Sequence, residues 1–154
     1  MAALKPIQIS GWLKDVNDNF DSLASLLGVH ITKFTFDTAA NDAASTPASN
    51  KTVAAHPLAV TIPDNAIVIF GFVDVIAAVT SNGNATVAIH LVDANDLLTA
   101  TGKASLTLAA QLPMAAVLAA PIKLTEEKAI TVTVGTAALT AGKIDGYIIW
   151  IEGA

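Results

Sequence analysis

The chain of 154 residues contains no cysteine and no arginine, and only eight phenylalanine, tryptophan and tyrosine side chains. The missing thiol excludes thiol catalysis, disulfides and cysteine-ligated zinc or iron–sulfur centres in any compartment. Charge is also scarce, at 14% of residues, against about 25% in an ordinary soluble domain. The formal net charge of -5 sets 13 acids against eight lysines. A duplex-binding surface needs concentrated positive charge and usually arginine forks, so nucleic acid is not an expected partner. The first residues lack the basic region and apolar run of a signal peptide, and no export is expected from them. The longest uncharged stretch, 104–122, is broken by Gln111, Pro113 and Pro121, while 66–80 carries Asp74 and is too short to span as a helix. No membrane span is expected.

Apolar side chains make up 53% of the sequence, far too many for a disordered chain, and the length suits one domain with a sizeable core. Ser10 is placed to cap a helix. After it, Leu13, Val16, Phe20, Leu23 and Leu27 recur at alternating spacings of three and four, one apolar stripe ended by Gly28. Such a helix has too little local stability to stand alone and must pack on a sheet, on a neighbouring subunit, or as a short coiled-coil seam. From Val29 the period becomes two. Strands are expected at 29–37, 58–62, 66–79, 85–92, 105–109, 122–124, 129–134 and 143–152, with a polar surface loop at 38–56, another at 99–102 and an irregular alanine-rich stretch at 113–121. Asn82-Gly83 marks a hairpin turn, and Gly71 marks a bulge or a close contact inside the longest strand. The absence of crossover helices after Gly28 supports an antiparallel sandwich or barrel over a parallel sheet. The expected fold is all-β and antiparallel, a sandwich or barrel, with an N-terminal α-helix. The expected organisation is an arm and helix over 1–28 and a sandwich domain over 29–154.

The sequence carries little that could do chemistry. His30, His56 and His90 lie in separate elements with no metal-ligand spacing around them; His90 should point to solvent or a neighbour. Asp93, Asn95 and Asp96 offer oxygens without the glycine and terminal glutamate of a calcium loop, and read as turn formers. Glu126 and Glu127 are adjacent and point different ways, which gives no geometry for paired carboxylate catalysis. The glycines are scattered and form no phosphate loop. No catalytic residue, metal site or cofactor is expected. Asn50-Lys-Thr52 and Asn84-Ala-Thr86 match the glycosylation sequon, and carry no weight where no secretion signal is expected. Trp12, Trp150 and Tyr147 could anchor a glycan, although a core or interface role is the commoner one for so few aromatics.

The apolar residues exceed what one sandwich face per strand requires. In the last strand Ile144, Gly146, Ile148 and Trp150 share one face and Asp145, Tyr147, Ile149 and Ile151 the other. Strict alternation likewise puts Val68, Phe70 and Phe72 on one face of the long strand and Ile67, Ile69 and Val73 on the other. Something must cover the second face, and association between copies is the ordinary remedy. The interface candidates are Trp12, Leu13, Val16, Phe20, Leu23, Leu27, Tyr147, Ile149 and Ile151.

The segments Thr61-Ile-Pro-Asp-Asn-Ala-Ile-Val68, Phe72-Val-Asp-Val75, the Thr80 to Ile89 hairpin, Asp96-Leu-Leu98 and Ala129 to Lys143 resemble, in that order, structural proteins of tailed bacteriophages with a jelly-roll core. The resemblance covers about residues 57–152 and leaves out the helix and the 38–56 loop. It implies an antiparallel jelly-roll-like β-sandwich and a virion component without enzymatic activity: a homo-oligomer, often a trimer, acting as a capsid decoration or cement protein on the major capsid protein. A tail, baseplate or head-fibre adaptor is the alternative it leaves, and the aromatic residues keep a carbohydrate-binding module as a lesser one. It also implies assembly in the cytoplasm of a bacterial host.

Overall fold

The computed structural model describes residues 28–40 and 50–153. The chain divides into two units, 1–30 and 31–154; the sandwich below is that of the second, and the expected helix with its stripe lies outside the described residues.

Among the described residues, nine strands form two sheets: β1 (Val29–Asp37), β2 (Ala54–Ile62), β3 (Ala66–Thr80), β4 (Thr86–His90), β5 (Leu98–Gly102), β6 (Gln111–Pro113), β7 (Ile122–Lys123), β8 (Lys128–Gly135) and β9 (Ala141–Glu152). One sheet has the order β1-β9-β3-β6, with β7 also paired to β3, and the other β2-β8-β4-β5. The first and last strands are neighbours, and the chain alternates between sheets as two interlocked Greek keys do. This is a jelly roll.

Alternation explains which face each strand buries. In β8, Ile130, Val132 and Val134 point inward while Thr131 and Thr133 stay half-exposed. In β9, Ile144, Gly146, Ile148 and Trp150 are buried, the face expected from the sequence. Together with Phe34, Phe36, Leu58, Ile62, Val73, Val75, Val87 and Ile89, the apolar side chains among them make one continuous core. Full burial of each such side chain is worth about 1.5–3 kcal/mol.

The long strand departs from strict alternation. Its register against β9 shifts between Val68 and Phe70, so the phase reverses: Val68 and Val73 face the core, while Ile67, Phe70 and Phe72 pair with the outward residues Ile151, Ile149 and Tyr147. The grouping of Val68 with Phe70 and Phe72 is therefore wrong, because a one-residue bulge flips every side chain after it. Gly71 lies just beyond, where a β-carbon would come within 2.4 Å of the Met114 sulfur, the close contact that its position suggested.

Other expectations shift locally. The second strand begins at Ala54, not Leu58, because His56 turns inward and donates from Nε2 to the Thr52 carbonyl (2.9 Å). Residues 98–102, expected to contain a loop, form β5 against β4. Conversely, 105–109 is no strand: a 3-10 turn at Lys103–Ser105 leads into a segment that lies along β3 through Val79–Leu106 and Val75–Ala110 backbone hydrogen bonds. The alanine-rich stretch contains a one-turn helix, Ala115–Ala119, which buries Val117.

Candidate interaction surface

The outer face of the β1-β9-β3-β6 sheet gathers the side chains with the most to offer a partner. Across β3 and β9 the outward pairs are Ile67–Ile151, Phe70–Ile149, Phe72–Tyr147 and Asp74–Asp145. The apolar members are half-buried. Phe72 and Tyr147 stack with ring centroids 4.9 Å apart, and Phe70 tilts against Phe72 at 6.3 Å. Offset and tilted ring pairs add about 0.5–1.5 kcal/mol beyond the area they bury. Tyr147, Ile149 and Ile151 thus stand together on one surface. Trp12, Leu13, Val16, Phe20, Leu23 and Leu27 lie outside the described residues.

Polar groups fix the β1 side of this face. Asp145 is only 8% exposed. Its carboxylate accepts from Thr35 Oγ1 (2.7 Å) and pairs with the Lys33 ammonium (2.6 Å). Burial pushes the Asp145 carboxyl up, but Lys33, Thr35 and the Lys143 charge together outweigh it and hold the group below the ordinary carboxylate range. Its hydrogen bond to Asp145 holds the Lys33 amine above its usual value, and Lys33 lies 5.5 Å from the Tyr147 ring centroid. Lys143 reaches Asp37 at 3.4 Å. The result is a ladder of ion pairs across β1 and β9 beside the aromatic row. Lys33, Asp145, Phe70 and Phe72 are not among the interface candidates read from the sequence; their contacts depend on the β1–β9 pairing and on the bulge, and Gly71 was the sole local signal of the latter.

Trp150 is not a platform for a ligand. It is 9% exposed and points inward, with its indole N–H donating to Thr32 Oγ1 at 2.9 Å, which removes it from any sugar-stacking role. Asn50 of the first sequon is 1% exposed and donates from Nδ2 to the Asp37 carbonyl (3.0 Å), so a glycan has no access to it in the folded chain. His90 is half-buried on the face of β4 opposite the buried Val87 and Ile89. Asp96 spends its carboxylate on the backbone N–H groups of Leu91, Val92 and Asp93 (2.8–3.0 Å), as a turn former does. Among the described residues, no three His, Asp or Glu side chains converge to hold a metal ion. An open cavity of about 240 Å³ is lined by Pro63, Asp64, Asn65, Trp150, Glu152 and Gly153.

No family model matches the sequence, and no curated protein does. Solved structures do match. A chain in the acid-stable capsid of Helicobacter pylori bacteriophage KHP30 is 16% identical with a TM-score of 0.54, covering 82% of this chain and 89% of that one. A chain in the capsid of Ralstonia phage GP4 gives 16% identity and a TM-score of 0.55 over 81% and 86%. One in the capsid asymmetric unit of cyanophage Pam1 gives 13% and 0.57 over 80% and 84%. The likeness is one of fold and extends over most of each subunit.

Proposed function

We propose that the chain is a non-enzymatic structural component of a phage particle, a capsid decoration or cement subunit. The observation that carries this reading is the fold shared, over most of both chains, with subunits of three phage capsids. Copies associate as a closed trimer, and the trimer bridges neighbouring molecules of the major capsid protein. Each contact is modest; several made at once by one rigid oligomer are collectively persistent and oppose pressure from within. The apolar outer face with Phe70, Phe72, Tyr147, Ile149 and Ile151 supplies one contact surface, and the stripe Leu13, Val16, Phe20, Leu23 and Leu27, with Trp12, a second. Assembly takes place in the host cytoplasm, and the mature location is the virion.

The direct test mixes purified protein with phage heads that lack it. Co-sedimentation at a fixed copy number, together with higher resistance of the heads to heating, is expected. Failure to bind heads, with recovery in isolated tails instead, overturns the capsid reading in favour of a tail or fibre adaptor.

A further inference from the structure

The two sheets have four edges, and three are poor templates for another strand. β2 carries Pro57, which has no N–H to give, and its pairing with β8 becomes irregular between Pro57 and Thr61. β5 has five residues, with a register shift between Val87 and Ile89 in the strand it pairs with. β6 and β7 have three and two residues. Short, bulged or proline-bearing edges are how sheets prevent further pairing. The fourth edge, β1, is nine residues long and contains neither proline nor glycine.

The direction of its free hydrogen-bonding groups follows from the contacts with β9. Thr38 donates to the Gly142 carbonyl, and alternation then turns Phe36 and Phe34 toward β9 as well. Ile31, Lys33 and Thr35 direct their N–H and C=O groups the other way, where the described residues supply no strand. At Asp37 this edge is already capped, because its carbonyl accepts from Ala40 N and Asn50 Nδ2. A lysine on an edge usually deters pairing, but here the Lys33 ammonium is drawn back over the sheet to Asp145 and Tyr147. Next to it Ile31 is 68% exposed.

We infer that this edge pairs with the same edge of a second copy, β1 to β1 in antiparallel register centred on Thr32. The cap at Asp37 shortens the usable edge to its first seven residues, whose midpoint is Thr32. In that register Ile31 of each copy lies opposite Lys33 of the other, whose methylene stem covers it. Both ammonium groups are already neutralised within their own chains, so the edges meet without bare like charges. The two sheets become one continuous sheet across a two-fold axis, which is a contact distinct from a three-fold ring and links oligomers pairwise.

The absence of native cysteine makes cross-linking the clean test. Directly opposed, non-hydrogen-bonded residues in an antiparallel pair have α-carbons about 4.5 Å apart, within disulfide reach. Thr32→Cys should form a disulfide-linked dimer under mild oxidation at least tenfold faster than Thr99→Cys on the edge of β5. Ile31→Pro, which removes an N–H that β9 does not use, should lower the mass in solution while leaving the circular dichroism spectrum and melting temperature of the dilute protein close to native. If that variant misfolds, Ile31→Lys, which sets two lysines opposite each other, should weaken association instead. Equal cross-linking at positions 32 and 99, or an unchanged mass for a folded edge variant, overturns the inference. Neither result depends on whether the native protein binds phage heads.

Discussion

The ring of Phe34 occupies the place that a side chain at position 146 would take: a β-carbon on Gly146 would lie 2.0 Å from Phe34 Cζ and 2.2 Å from Cε1. Both strands are central to the site, since β1 supplies Lys33 and Thr35 and β9 supplies Asp145 and Tyr147. Gly146→Ala must push the ring out of the core or part the strands. Overpacking of this kind costs about 1–3 kcal/mol and sometimes more. The expected result is a lower urea midpoint with the slope unchanged. Phe34→Leu in the Gly146→Ala background should recover part of the loss, because the two substitutions act on one contact.

Asp145 makes stability depend on pH in a defined direction. Its folded pKa is below the unfolded one, so its contribution is fully present above the unfolded value of about 3.9 and is lost as pH falls through the folded value. Asp145→Asn keeps an acceptor for Thr35 but gives up the charge that holds Lys33. The variant should be less stable than the native protein at pH 7, and the two stabilities should converge below about pH 4 as the native carboxylate protonates. Glu126, held low by Lys128, is solvent-exposed and should add little to this limb. Urea titrations between pH 2.5 and 7 check both statements; a constant gap between the two proteins would refute the role given to Asp145.

Much of this arrangement was legible in the sequence where a residue's environment repeats with the strand period. Both faces of β9 were read correctly from alternation alone, and the strand at 129–134 and the turn role of Asp96 from the residue types present. The outward position of Phe70 and Phe72 was not, because the bulge after Val68 changes the phase and only β9, far along the chain, reveals it. β5 was hidden for a different reason. Leu98-Thr-Ala-Thr-Gly102 has only one buried large side chain, Leu98, and is a strand because β4 offers it an edge. The ion-pair ladder joins residues more than a hundred positions apart, where local pattern carries no information.

Thr136 stores strain in the connection between β8 and β9. It has φ of +66°, a left-handed conformation that a β-branched residue adopts at a cost. Thr136 is exposed, so a replacement need satisfy only the backbone. Thr136→Gly removes the β-carbon clash but loosens the unfolded chain; Thr136→Asn tolerates the left-handed region without that loss of restraint. The asparagine variant should therefore be the more stable of the two and exceed the native protein by about 0.5–1 kcal/mol, measured as a higher melting temperature. A lower melting temperature for both would mean that the hydroxyl or methyl of Thr136 makes a contribution larger than the strain.

Asp96 offers the sharpest distinction between a structural turn and an ion site. Its Oδ1 accepts from Leu91 N, and its Oδ2 from Val92 N and Asp93 N. The neighbouring Asn95, with φ of +69°, accepts from Ala100 N through its own side chain. Three N–H donors aimed at one carboxylate make a local field that suits an anion and repels a cation, and they leave its lone pairs little to give a metal. Asp96→Ala should cost about 1–3 kcal/mol through the lost charge-assisted bonds, and Asp96→Asn should also destabilise, since its amide would set donors against donors. Millimolar calcium should leave the melting temperature of the native protein unchanged; a calcium-dependent rise that disappears in Asp96→Ala would mean that the carboxylate exchanges its backbone partners for the ion.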